Sequence, residues 1–290
     1  MSKKQVTSGT KAKKTIVNII IHIFLAILSF IWVLPIFWVV LTSFRGEKGS
    51  YVTTFFPKTY TINYVKLFTD TSILNFPKMF VNTFIIAIFT CIISTIFVLS
   101  VSYTMSRMRF NMRKPFMNVA MILGLFPSFM SMIAVYYILK ALGLAEGSMI
   151  RIALIIVFSA GSGVGFYVAK GFFDTIPKAL DEAAIIDGAT RWQVFTQITA
   201  PLSKPIIVYT ILTSFMGPWV DFIFAKVICR ADAQYYTVSI GLWKMLEKEY
   251  IDSWYTCFAA GAVVVSIPIA ILFLLTQKFY VDGMSGAVKG

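Results

Sequence analysis

The residues best suited to a chemical role lie in a polar interval between two apolar runs. There Glu182-Ala183-Ala184-Ile185-Ile186-Asp187-Gly188 is followed at a fixed distance by Ile198 and Pro201. The alanines permit close approach of another backbone, and the two carboxylates offer charge at that contact. This composition favours a docking surface over a catalytic centre. An amphipathic hairpin that only connects two membrane spans explains the same residues equally well.

Other candidate sites in the sequence predict neither catalysis nor metal binding. Gly161-Ser162-Gly163-Val164-Gly165 lacks the preceding strand and the Lys-Ser/Thr pair of a phosphate loop. Small residues in an apolar run are better explained by close helix packing. One histidine, His22, cannot form a metal site. The cysteines Cys91, Cys229 and Cys257 have no ligand spacing, and free thiols are favoured over a Cys229–Cys257 bridge.

The composition indicates an all-α polytopic membrane protein. Of 290 residues, 58% are hydrophobic and 13% are charged, whereas a soluble domain carries about 25% charged residues. The net charge of +13 would suggest nucleic acid in a soluble protein. Here it is better explained by membrane topology and by contact with anionic lipid, so lipid is an expected partner and nucleic acid is not.

Charge-free runs predict six transmembrane helices, because each run can cross a hydrocarbon core that needs about 20 residues. The runs cover residues 15–44, 80–106, 115–139, 152–169, 205–220 (continuing weakly to 225) and 253–277. The predicted domains are a basic tail at 1–14, a membrane domain at 15–280 and a second tail at 281–290. The first run is too long for a cleaved signal peptide and is expected to remain as an anchor. Prolines that predict kinks are Pro35, Pro127, Pro218 and Pro268.

The distribution of lysine and arginine predicts the orientation. Five lysines precede the first span, and four basic residues occupy the connection between the second and third spans: Arg107, Arg109, Arg113 and Lys114. With six spans, both segments fall on one side, which the positive-inside rule makes cytoplasmic. Both termini and the polar loop at 170–205 are then cytoplasmic.

Local signals predict that the polar loop forms two short helices. Pro177 suits the first turn of a helix, and Gly188 stands where a left-handed residue would end it. Thr190 and Gln193 form a capping box that starts a second helix, which must end near Pro201. The face predicted for the first helix consists of Ile176, Leu180, Ala183, Ala184 and Asp187.

The loop resembles the EAA loop of ABC-importer permeases, with the pattern E-A-A-x-x-x-G, nine residues, then I-x-L-P. The matching residues are Glu182, Ala183, Ala184, Gly188, Ile198 and Pro201, whereas Ala200 replaces the usual leucine. The segments 217–222 and 283–290 are similar to carbohydrate permeases of the maltose/maltodextrin and galacto-oligosaccharide type. This similarity extends over essentially the whole chain.

The resemblance implies a type I importer permease that translocates maltodextrins or galacto-oligosaccharides. It implies a second homologous permease, two ATPase subunits and an extracytoplasmic sugar-binding protein as partners. The chain itself would be no enzyme and hold no cofactor, since ATP and Mg would bind to the ATPases. The EAA residues with Asp187 would couple ATPase movement to transport. An outer segment that includes Tyr235, Tyr236 and Gly241 would contact the binding protein.

Two residues near the fifth span are candidates for the substrate path. Asp221 is ionisable in an apolar region, where such residues usually face protein or a water-filled cavity. It could shape the path, or it could form a structural ion pair with Lys226 near the outer interface. Trp219 could stack on a sugar ring or anchor the helix at the interface. The residues alone leave these alternatives open.

Two outer segments carry local structural signals. A short helix is predicted near Asn63–Phe68, and the β-branched and aromatic residues of 235–242 predict an extended loop. The rival function is an ion-coupled secondary transporter, which would place ionisable groups near mid-membrane in repeated halves. The sequence offers only Asp221, off-centre, and no evident repeat.

Overall fold

The structure is a computed structural model that describes residues 8–49, 54–125, 128–161, 165–230 and 232–287. Over these ranges the chain is helical and contains no strand, apart from one isolated antiparallel bridge between Arg45 and Tyr60. The all-α class is therefore confirmed.

Fourteen α-helices occur in the described ranges. They are α1 Ser8–Ser43, α2 Asn63–Thr69, α3 Phe76–Arg107, α4 Arg113–Gly124, α5 Ser128–Ala141, α6 Met149–Ala160, α7 Gly165–Thr175, α8 Lys178–Ile186, α9 Arg191–Gln193, α10 Ala200–Leu202, α11 Lys204–Val220, α12 Ile223–Cys229, α13 Val238–Met245 and α14 Ile251–Ala287. A π-helix, Val194–Thr199, separates α9 from α10, and a 3₁₀-helix covers Ala233–Tyr235.

Three helical segments are long and apolar enough to cross a membrane. They are Lys14–Ser43, Phe76–Arg107 and Ile251–Phe279, at the positions of the predicted first, second and sixth spans. Two bent pairs would raise the number to five. Met149–Ala160 and Gly165–Thr175 meet at 42°, and Arg191–Leu202 and Lys204–Val220 meet at 83°.

The predicted third span is divided between α4 and α5, on either side of residues 126–127. The kink predicted at Pro127 lies outside the described residues. Pro35, Pro218 and Pro268 lie inside α1, α11 and α14, where each removes one backbone donor from its helix. A count of six spans stays a prediction.

The chain forms two compact units, and the smaller one contains the described residues up to Leu67 together with Lys248–Val263. The predicted short helix is confirmed as α2. Its first residue, Asn63, is buried and donates from Nδ2 to the carbonyls of Ser43 and Arg45 at 3.0 and 2.8 Å. Thr256 donates to Asn63 Oδ1 at 3.0 Å. These bonds hold α2 against the ends of two long helices.

The larger unit, Phe68–Glu247 with Val264 onward, is built around α3. Helices α6, α7 and α11 pack on α3. Small side chains recur on α3 at multiples of four residues, at Thr90, Ser94, Ser102 and Ser106, and all four are buried. Such residues let helix backbones approach closely, as membrane interfaces require. The Ser102 hydroxyl also donates across this interface to the Phe166 carbonyl at 2.9 Å.

All three cysteines are free thiols, which confirms the interpretation favoured from the sequence. Cys91 is half-buried, and Cys229 and Cys257 are buried. Burial raises the pKa of the Cys229 thiol to about 12. This thiol is consequently protonated and unreactive at neutral pH.

Candidate functional site

The first arm of the polar hairpin is α8, and its end is set by Gly188. Pro177 precedes the helix at the N-cap, one position earlier than the sequence suggested. Gly188 has a φ of +89°. Its N–H donates to the Ile185 carbonyl at 3.0 Å, and the Ala189 N–H donates to the Ala184 carbonyl at 2.9 Å. This pair of bonds is a Schellman motif, so the predicted C-terminal glycine is confirmed.

The need for glycine at this position is conformational. A Cβ built on Gly188 would meet no atom within 4 Å. Space therefore permits a side chain, and only the left-handed backbone disfavours one.

The second arm begins with the predicted capping box. The Thr190 N–H donates to Gln193 Oε1 at 2.8 Å, and the Gln193 N–H donates to Thr190 Oγ1 at 3.3 Å. The arm then widens into the π-helix, which contains Ile198, before α10, which contains Pro201. Proline has no N–H to donate to the preceding turn, which favours this local change of pitch.

The tip of the hairpin is exposed. Glu182, Ala183, Asp187 and Gly188 are all accessible, and Ile186 is 84% exposed. On the predicted face of α8, Ile176 is buried, Ala184 is half-buried and the other residues are exposed. An apolar side chain beside two carboxylates, all accessible, forms a surface suited to contact with another protein.

An ion pair fastens the hairpin to the end of α3. Arg107 Nε lies 3.3 Å from Asp181 Oδ2, with the two side chains 4% and 12% exposed. Arg107 Nη2 also donates to the carbonyls of Phe173 and Ile176, at 2.9 and 3.0 Å. One guanidinium therefore joins three elements: α3, the end of α7 and the start of α8.

This pair was missed in the sequence, where Arg107 counted only as a topology signal. An acidic residue in the first turn of a helix, such as Asp181, is an ordinary consequence of the helix dipole. Nothing local distinguishes it from Glu182, its exposed neighbour.

Further contacts join the last turns of α3 to α7 and to the second arm of the hairpin. The Ser106 hydroxyl donates to Asp174 Oδ1 at 2.6 Å. The Tyr103 hydroxyl donates to the Arg191 carbonyl at 3.3 Å, and its ring lies 4.8 Å from that of Phe195 between centroids. Both arms thus contact α3, so a displacement of the hairpin must either break these contacts or move α3.

A second candidate site is a cavity of about 270 Å³ among α3, α6, α7 and α11. Its lining is Thr90, Val98, Phe158, Gly161, Gly165, Tyr209, Thr210, Thr213, Ser214, Gly217 and Pro218. Hydroxyl groups are numerous, and they can both donate to and accept from a polyhydroxylated solute. In the sequence, Thr210, Thr213, Ser214 and Gly217 form a stripe of hydroxyl and small residues at i, i+3, i+4 and i+7. A search for charged residues overlooks this stripe.

Trp219 and Asp221 do not line this cavity. The Trp219 side chain is 2% exposed and packs between Phe80, Phe84 and Phe215, with ring centroids 5.3–6.3 Å away. An indole buried in this way neither stacks on a sugar nor sits at a membrane interface. The structure makes it a core residue.

Asp221 has a structural role in place of the ion pair that was considered. Its Oδ1 accepts from the Ala225 N–H at 3.1 Å, which stabilises the first turn of α12. The Lys226 ammonium lies 4.9 Å from the centre of the Tyr236 ring and not on Asp221. Of the two alternatives left open for Asp221, the ion pair with Lys226 is not observed among the described residues.

The extended loop predicted over 235–242 is also wrong, since α13 begins at Val238. Val238 and Ile240 are buried, and burial overrides their β propensity. A Cβ on Gly241 would lie 2.5 Å from Met79 Sδ, so glycine allows α13 to pack closely on α3. Tyr235 and Tyr236 are buried as well, and the accessible side chains here are Gln234 and Trp243.

Asn82 holds the segment from Gln234 to Trp243 in place. From the buried face of α3, its Nδ2 donates to the carbonyls of Gln234 and Tyr236 at 3.0 and 3.2 Å. Its Oδ1 accepts from Arg151 Nε at 3.0 Å. The two ends of α3 are therefore each fixed by one polar side chain.

Comparison with known proteins places the hairpin and the cavity in a transport family. Residues 98–285 match the model described as binding-protein-dependent transport system inner membrane component. The chain belongs to this family. Both candidate sites fall within the matched residues, except for Thr90.

Two relatives match over nearly their full lengths. The galactooligosaccharides transport system permease protein GanQ of Bacillus subtilis is 33% identical over 283 residues, covering 97% of this chain and 98% of the relative. The maltodextrin transport system permease protein MdxG of the same organism is 30% identical over 271 residues, covering 93% and 95%.

The fold is shared with a solved structure. A bacterial ABC transporter involved in the import of the acidic polysaccharide alginate contains a chain that matches with a TM-score of 0.72 at 22% identity. The match covers 96% of this chain and 100% of that chain. This chain and the chain of that transporter therefore share a fold.

Proposed function

We propose that this chain is a permease subunit of an ATP-driven importer for oligosaccharides of the maltodextrin or galacto-oligosaccharide class. The observation that carries the proposal is the exposed hairpin tip, fastened to α3, in a chain whose relatives are named as permeases for those sugars. The comparisons support this function over the ion-coupled alternative.

The proposed topology has six spans with both termini in the cytoplasm. Three long helices, the bent pair of α6 and α7, the helix α11 and the α4–α5 segment would supply the six. The lysines before and within the first turns of α1, and the basic residues that end and follow α3, favour the cytoplasmic side for these ends. The hairpin would then face the cytoplasm, and α13 would lie at the outer face.

In the proposed mechanism, the hairpin tip enters a cleft of a separate ATPase subunit. Glu182 and Asp187 would pair with polar groups there, while Ala183 allows close approach. Coupling requires that ATP-bound and open ATPase states hold the hairpin differently. The Arg107–Asp181 pair would carry that displacement into α3. A second homologous permease and a second ATPase would complete the assembly, with ATP and Mg bound by the ATPases.

The proposed contribution to the sugar path is the hydroxyl-lined cavity. Tyr209, Thr213 and Ser214 offer donors and acceptors to sugar hydroxyls within a helical membrane segment. Thr90 lines the same cavity, and its Oγ1 is buried with no hydrogen-bond partner among the described residues. At the outer face, Gln234 and Trp243 are the accessible candidates for contact with a sugar-binding protein.

The decisive experiment is to purify the complete complex and measure ATP hydrolysis with each candidate sugar and its binding protein. We expect maltodextrin or galacto-oligosaccharide to stimulate turnover. Uptake that persists after ATP depletion, with the proton gradient preserved, would contradict an ATP-driven importer.

A further inference from the structure

A basic cleft lies beside the hairpin, between the end of α3, the start of α4 and both hairpin arms. Its volume is about 380 Å³. Five basic and two acidic side chains line it: Arg107, Arg109, Arg113, Lys178, Arg191, Asp181 and Glu182. Arg107 and Asp181 pair with each other, so four further cations face a single further carboxylate. The cleft is therefore complementary to an anion.

Arg107 also retains an unused donor at this cleft. Its side chain is 4% exposed, yet Nη1 has no hydrogen-bond partner in the part of the chain that the structure describes. A buried guanidinium N–H without an acceptor is energetically unfavourable. An anion in the adjoining cleft would place further negative charge beside this guanidinium.

An apolar groove of about 230 Å³ adjoins the cleft and shares Tyr103 and Arg191 with it. Its lining is mainly apolar and includes Met108, Trp192 and Phe195. Trp192 is 70% exposed, with its ring 5.7 Å from that of Phe195. An exposed indole beside an apolar groove is typical of a membrane interface.

We propose that the cleft and the groove together bind one anionic phospholipid of the cytoplasmic leaflet. The phosphate would occupy the basic cleft, and an acyl chain would follow the groove past Trp192. Basic pockets on the cytoplasmic side of membrane helices recognise anionic head groups in this way. This inference rests on the proposed function, which places the end of α3 at the cytoplasmic surface.

The apolar groove favours a lipid over other anions. A free phosphate would use the cleft alone and leave Trp192 in water. An acidic segment of an ATPase would also not need an apolar groove at the level of Arg191. The bound lipid would contact α3 and both hairpin arms, and would therefore stabilise the position of the hairpin against α3.

The test uses the full chain in phosphatidylcholine nanodiscs that contain a small fraction of brominated lipid, which quenches nearby tryptophan. The probes are phosphatidylglycerol and phosphatidylcholine with the same brominated acyl chains. The signal from Trp192 is isolated from the chain's other tryptophans by subtracting a Trp192→Phe variant. Measurement at about 1 M salt shortens the Debye length to about 3 Å and suppresses diffuse surface attraction.

We expect brominated phosphatidylglycerol to quench Trp192 at a mole fraction at least about fivefold lower than brominated phosphatidylcholine does. That factor corresponds to about 1 kcal/mol for one basic residue near an anionic lipid. Arg109→Gln with Arg113→Gln should remove the difference. Lys114→Gln is the matched control, because Lys114 is an exposed neighbour that does not line the cleft, and it should leave the difference intact. Arg113→Lys, which keeps the charge, should also retain it.

Equal quenching by the two lipids would overturn the proposal. So would an equal loss in Lys114→Gln and in the arginine variants, because the attraction would then be diffuse. Displacement of brominated phosphatidylglycerol by inorganic phosphate would identify a free-anion site instead. If the sugar still stimulates ATP hydrolysis in the complex, each of these results would reject the lipid site and leave the proposed function standing.

Discussion

Replacing Arg107 by methionine should loosen the hairpin selectively. The change leaves Asp181 largely buried without its countercharge, which costs about 3–5 kcal/mol for a buried pair. It also removes charged donors from the carbonyls of Phe173 and Ile176. Because Asp181 retains 12% exposure and four other basic side chains line the same cleft, the lower half of that range is the better expectation. Methionine preserves most of the packing volume, so the loss is mainly electrostatic.

The assay is amide hydrogen exchange of hairpin peptides in the assembled complex. At about 1.4 kcal/mol per factor of ten, we expect exchange between Pro177 and Pro201 to accelerate about 10²- to 10³-fold. Asp181→Asn should have a smaller effect, about 1–3 kcal/mol, because the amide can still accept from Arg107. Glu182→Gln, at the exposed neighbour, should change exchange by less than about 0.5 kcal/mol.

The double variant of Arg107 and Asp181 tests whether the two side chains act together. If they do, its effect is smaller than the sum of the single effects, because the second change removes a charge that the first left unpaired. Wild-type exchange in Arg107→Met would refute the reasoning. Strict additivity of the two changes would show that the pair does not hold the hairpin.

Three further predictions concern the same chain. Gly188→Val should weaken ATPase co-purification about fivefold or more, since a β-branched residue at this φ costs about 1–3 kcal/mol. Gly188→Asn should bind normally, because asparagine tolerates the left-handed region. Normal docking and transport by the valine variant would reject the coupling role. Glu182→Lys should lower sugar-stimulated ATP turnover about tenfold by removing a charge-assisted contact of about 1.5–3 kcal/mol, while sugar capture by the binding protein is unchanged; normal coupling in proteoliposomes would count against it. Cys229 should resist maleimide at pH 8 until the protein is unfolded, because burial raises the pKa of its thiol from 9.0 to about 12. The folded state should accordingly lose stability as pH rises from about 9 towards 12, because the thiol of the unfolded chain ionises first. Rapid labelling of the native protein at pH 8, detected by mass spectrometry, would contradict this prediction by showing that the thiol is accessible.

The hairpin could be predicted from the sequence because its signals are local. Gly188 and the Thr190–Gln193 capping box act within one helical turn, and neither depends on distant residues. The course of 235–242 could not be predicted in this way. Its β-branched residues favour an extended strand locally, but burial of Val238 against α3 and the fit of Gly241 on Met79 select a helix.

Pairing across the sequence was equally inaccessible. Arg107 and Asp181 are far apart in the chain, and only the packing of α3 against α7 brings them to 3.3 Å. For Trp219, the sequence suggested a functional role that depended on its neighbour Asp221. In the structure, three phenylalanines surround the Trp219 side chain and make Trp219 part of the core. The hydroxyl stripe of α11 was present in the sequence, and reading polar periodicity within an apolar run would have found it.

The spacing of the two polar anchors on α3 limits how this chain can evolve. Asn82 and Arg107 are 25 residues apart, which is about seven helical turns or about 37 Å, so both anchors lie on nearly the same side of the helix. A single inserted or deleted residue between them would rotate one anchor by about 100° relative to the other. Either the segment from Gln234 to Trp243 or the hairpin would then lose its attachment. Length changes should accordingly be tolerated in the connections of this chain and excluded from the interior of α3.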